Sequence, residues 1–180
     1  MPKTVNNPPA LIPQQAPGWC FAAAEQMARN FYNRPARTQY DIARRIVIAL
    51  VDIPDPDTYD DWLAATLYDE ANGLEENNGA NLQSARVQLV RSRWGAVNYN
   101  DIGGYIANNY GPQDFRDDID RNKIIIGNAN HFFVVYGYED AGDFTLLLRD
   151  PWPENVGGRQ QSVRYNTFTN WNDRQVIRFN

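Results

Sequence analysis

Residues 14–32 read QQAPGWCFAAAEQMARNFY and hold the only cysteine of the 180-residue chain, Cys20. A turn at Pro17-Gly18 leads into apolar residues at Cys20, Ala23, Ala24, Met27 and Phe31, the spacing of one helical face. Asn33-Arg34-Pro35 ends the run, because a residue before proline is pushed out of the helical region. The thiol is therefore expected where a loop becomes a helix. First-turn N–H groups there favour thiolate over thiol. Elsewhere a lone cysteine is most often a small core hydrophobe, so it is the position that singles this one out.

Working outward, the proline-rich residues 1–17 read as an extended arm laid over the fold. Thr38-x-x-Asp41 resembles a capping box and opens a second helix through Ile42, Ile46 and Leu50. A third helix is expected after Thr58, a fourth over 82–93, and a short fifth around 101–109, ending before Gly111-Pro112. The pattern then changes to strands: IIIG (124–127), HFFVVYGYED (131–140), FTLLLRD (144–150), SVRYN (162–166) and RQVIRFN (174–180). Helices first and strands later imply an α+β fold, with a helical lobe over about 18–112 and a mainly antiparallel sheet lobe over about 113–180.

The bulk composition narrows the function. A net charge of −5 argues against nucleic acid or an anionic membrane as partner. One cysteine permits no internal disulfide, and one cysteine with one histidine leaves too few soft ligands for a metal enzyme. No run is long enough to insert in a membrane, and the N-terminal residues show no Sec-type apolar core, so the chain is expected to be cytoplasmic as made. The stretch from Asp52 to Glu76 carries nine acidic residues and no base. A calcium loop there lacks the turn glycine, so a solvated acidic face is the better reading.

A thiol nucleophile needs a base, and the single histidine, His131, is the only imidazole available. It heads an apolar strand, a place from which it can reach across to a helix N-terminus, deprotonate the thiol and protonate a leaving amine. RDPW (149–152) ends the next strand. If the two strands form an antiparallel hairpin, Asp150 falls beside His131 and fixes its tautomer. Alone, Asp-Pro would be a plain turn.

Together Gln14, Trp19-Cys20-Phe21-Ala22-Ala23, His131-Phe-Phe-Val-Val-Tyr-Gly-Tyr138 and Asp150-Pro-Trp152 resemble, in order, the papain-like cysteine peptidases. The likeness is to compact bacterial members that include effector proteases. It implies a papain-like fold with a cleft between the lobes, Cys20 as nucleophile, His131 as base and acid, and Asp150 as orienter. By the same resemblance Gln14 donates to the oxyanion, with Gln15 as its competitor, Trp19 supports the site, and Trp152 shields the His–Asp pair. Phe21 stands where many relatives carry tryptophan, and residues 35–110 show no detailed match.

The expected function is peptide-bond cleavage through a Cys20 acyl-enzyme, without cofactor. The alternatives are glutamine deamidation, transglutaminase-like or isopeptidase chemistry on the same thioester, and a non-catalytic binding module. A protein or peptide substrate is the expected partner. The resemblance further implies a secreted effector or toxin domain, carried out by a specialised secretion system and matched by an immunity protein or inhibitor.

Overall fold

The computed structural model describes residues 1–15, 19–43, 99–107, 109–128, 131–171 and 174–180. The third and fourth helices, the second helix beyond residue 43 and the acidic stretch 52–76 lie outside the described residues. Among the described residues, an antiparallel sheet of seven strands forms the body of the fold. The strands are β1 (Lys3–Thr4), β2 (Gly104–Ala107), β3 (Ile125–Asn128), β4 (Phe132–Glu139), β5 (Thr145–Arg149), β6 (Ser162–Arg164) and β7 (Gln175–Phe179). Their order is β2-β7-β3-β4-β5-β6, with β1 paired to the far end of β4. Among the described residues the helices are α1 (Cys20–Phe31), α2 (Pro112–Asp120) and α3 (Tyr165–Thr169), besides the start of the expected second helix at residues 39–43. The chain is α+β, as its pattern implied.

Strand β4 is the centre of the sheet. Phe132 and Val134 alternate with Phe133 and Val135, and all four are buried, so both faces of the strand are covered. On the Phe133 face an aromatic cluster forms with Phe168 of α3 and Trp171, and Phe168 also meets Phe115 of α2. Gly127 leaves the space for this: a Cβ there would lie 2.4 Å from the Phe133 ring. Gly137 does the same for β1, since its Cβ would lie 2.5 Å from the Lys3 carbonyl oxygen. The arm is thus a sheet member at its start, with Lys3 opposite Tyr138 and Thr4 opposite Gly137.

Helix α1 packs against β4. Its Ala22, Ala23, Ala24 and Ala28 are fully buried, and small side chains let the helix approach the sheet closely. Burial extends round more of the helix than one apolar stripe requires, and it includes Glu25 and Arg29. These two pair at 2.7 Å, and Arg29 also reaches Asp101 at 2.7 Å. One arm of the expected capping box is formed, the Thr38 hydroxyl accepting the Asp41 N–H at 3.0 Å, and the same hydroxyl donates to the Asp41 carboxylate at 2.6 Å.

Two expectations need correction. The helix expected around 101–109 is a single 3-10 turn, Tyr99–Ile102, followed by strand β2. Gly103, at φ +85°, breaks the helical path, and pairing with β7 from Gly104↔Phe179 to Ala107↔Val176 supplies the alternative hydrogen bonds. Strand 162–166 ends at Arg164, and Tyr165 begins α3.

Candidate active site

The fold sets the site at the ends of its most regular elements. Cys20 is the first residue of α1, and the N-cap Trp19 makes no side-chain capping bond among the described residues. The first turn of α1 carries no acidic residue, so its N–H groups favour a negative charge on sulfur. The buried Trp19 stands at the N-cap, and its carbonyl accepts the Ala22 and Ala23 N–H groups at 3.0 and 3.1 Å. Cys20 itself is only 1% exposed.

His131 immediately precedes β4, and Asp150 immediately follows β5. These strands pair antiparallel with Val134 opposite Arg149, so the start of one lies beside the end of the other. His131 Nε2–H donates to Asp150 Oδ1 at 2.6 Å. With Nε2 so engaged, Nδ1 is the nitrogen left for the thiol, and the imidazole makes a side-chain hydrogen bond with Cys20. Burial disfavours the imidazolium, but the hydrogen bonds to Asp150 and Cys20, with their charges, outweigh it and raise the His131 pKa to about 9. About a third of the His131 side chain meets solvent, which makes it the open side of the row.

Asp150 is buried and held from several directions. Besides His131 it accepts the Trp152 N–H at 2.9 Å and the Gln160 N–H at 3.3 Å. Its own carbonyl accepts the Gly158 N–H at 2.7 Å, closing the loop 150–158. Gly157 and Gly158, both at positive φ, sit against Leu11 of the arm. Trp152 is half-buried and joined to Asp150 through its backbone.

Gln14 is fully buried and pinned to the same loop. Its N–H donates to the Pro151 carbonyl at 3.0 Å, and its carbonyl accepts the Asn155 N–H at 2.8 Å. Gln15, the competitor, is exposed and gives its N–H to Gln39 Oε1 at 2.8 Å. The structure thus joins Cys20, His131 and Asp150 in one row and fastens Gln14 to the Asp150 loop. Reading the sequence missed Gln39, which is fully buried and also bonded to Pro13 and Gln26. A glutamine in a helix's first turn carries no signal of burial.

A thiol, an imidazole and a carboxylate aligned on an α+β scaffold are of the cysteine-peptidase kind. Residues 7–175 match the model of the Peptidase_C39-like family, and the chain belongs to that family. No curated protein matches it.

Proposed function

We propose that the protein is a thiol peptidase with the papain-like arrangement of lobes, acting on extended protein segments in the cleft between them. The observation that carries the reading is His131 held between Asp150, at 2.6 Å, and Cys20. The Cys20 thiolate attacks the scissile carbonyl carbon. The oxyanion that forms is met by the Cys20 N–H and the Gln14 side-chain amide. His131 gives its proton to the departing amine, leaving a thioester on Cys20. It then takes a proton from water, whose oxygen displaces the sulfur and releases the new carboxylate. Asp150 keeps Nδ1 aimed at sulfur and stabilises the imidazolium throughout. Because Cys20 is nearly covered, acylation requires the approach to sulfur to open.

Incubation of an unstructured protein with wild type and with Cys20→Ala, followed by mapping of new N-termini, tests the reading. Cleavage only by wild type supports it. A gain of about one dalton without fragments identifies deamidation by the same thioester chemistry and refutes proteolysis. The resemblance to effector proteases supports a delivered effector or toxin, with an inhibitor filling the cleft as partner. Toxicity on expression that disappears in Cys20→Ala is the expected outcome, and harmless wild type removes this setting.

A further inference from the structure

We infer that Gln39 is a positioning residue of the proposed site, which fixes the backbone on both sides of Gln14 and ties it to the helix that carries Cys20. The inference rests on the peptidase reading above and concerns how its oxyanion donor is held. Gln39 is fully buried, and its amide engages three partners. Its Oε1 accepts the N–H of Gln15 at 2.8 Å. Its Nε2 donates to the carbonyl of Pro13 at 2.8 Å and to Gln26 Oε1 at 3.0 Å. Gln26 belongs to α1, and its own Nε2 donates to the Arg37 carbonyl at 2.7 Å.

These contacts bracket residue 14. Pro13 on one side and Gln15 on the other are bonded to one side chain, while Gln14 itself is bonded through both backbone groups to Pro151 and Asn155. The segment therefore has two anchors, one on the nucleophile's helix and one on the loop of Asp150. An oxyanion donor acts only if it is held where charge will develop, before the charge arrives. Displacement of about 1 Å removes much of that benefit. No other side-chain type serves equally well at position 39. Two carbonyl-type oxygens must receive N–H donors while a neighbouring N–H finds an oxygen, and only a primary amide offers both in that geometry. Glutamate would keep the acceptor but set a carboxylate against the Pro13 and Gln26 oxygens. Methionine would keep the length and lose all three bonds.

The test uses the full-length chain with Gln39→Met, Gln14→Ala and the double variant. For Gln39→Met, kcat is expected to fall roughly ten- to hundredfold, with KM within about twofold of wild type. The pH profile of Cys20 alkylation by iodoacetamide stays as in wild type, because the thiol–imidazole pair is untouched. The double variant is no more than about twofold slower than Gln14→Ala, since both changes remove one function. Gln39→Glu does not restore the rate. In parallel, amide hydrogen exchange at Gln15 speeds up at least about tenfold in Gln39→Met while Ala22 and Ala23 keep their protection. Wild-type kcat in Gln39→Met, multiplying losses in the double variant, or unchanged Gln15 exchange overturns the inference. If the wild type turns over no substrate at all, the peptidase reading falls, and the exchange experiment still decides whether Gln39 holds residues 13–15.

Discussion

The charge of Asp150 can be read directly at its neighbour, because the chain has a single histidine and therefore a single imidazole Cε1–H resonance. In the folded protein the His131 pKa is raised to about 9 against an ordinary value of 6.5. Burial works against this rise; the Asp150 hydrogen bond and the interaction with Cys20 overcome it. A facing opposite charge shifts a pKa by about 1 to 3 units, and solvent on a third of the His131 side chain screens it toward the lower end. Asp150→Asn keeps an acceptor of the same shape and removes the charge. The His131 midpoint is then expected to fall by about 1 to 1.5 pH units. Cys20→Ala lowers it too, because the thiolate is the second stabilising partner, and the apparent values belong to the pair rather than to either residue. Proton NMR titration of wild type and both variants between pH 5 and 10.5 is the assay. A wild-type midpoint near 6.5 that neither substitution moves refutes the reasoning.

The same shift has a consequence for stability. The native state binds this proton more tightly than the unfolded chain, so the stabilisation is complete below about pH 6.5 and lost as pH rises toward 9. Urea midpoints of wild type are expected to fall across that window relative to His131→Gln. Gln14→Ala is expected to lower kcat by about 10²- to 10³-fold with the fold intact, as measured by peptide turnover and circular dichroism. Glu25→Ala removes a buried carboxylate from the buried Arg29, leaving it the partly exposed Asp101 and the neutral Pro35 carbonyl among the described residues, and should cost about 3 kcal/mol in urea unfolding. Gly137→Ala drives a methyl group onto the Lys3 carbonyl and should release β1, seen as faster amide exchange at Val5, whose N–H now bonds Tyr136.

The placing of Cys20, His131 and Asp150 in one row was legible because each stands at the end of a strongly patterned element. Cys20 opens an alanine-rich helix, His131 heads a run of buried apolar residues, and Asp150 closes the next strand, so antiparallel pairing alone places the last two together. Where the pattern was weak, the reading failed. Helix α2 went unseen because only Phe115, Asp118 and Ile119 of its nine residues are buried. Gly111-Pro112 reads as the end of a preceding helix, whereas proline at the first position starts this one. Strand β2 has four residues at the sheet edge, and its state is set by β7, distant in sequence. Gly137 reads as punctuation but lies inside β4, where its missing side chain admits the arm. The anchoring of Gln14 depends on Gln39 and on the loop after Asp150, and no local periodicity encodes such long-range amide contacts.

The most direct trial of the whole account is rapid acid quenching of the protein with an activated peptide ester, followed by intact-mass and fragment analysis. Wild type should carry one acyl group on Cys20 within the first turnover, Cys20→Ala none, and His131→Ala only a slow trace. Product formation with no adduct on Cys20, or equal acylation of the His131→Ala protein, would contradict a sulfur nucleophile driven by this imidazole.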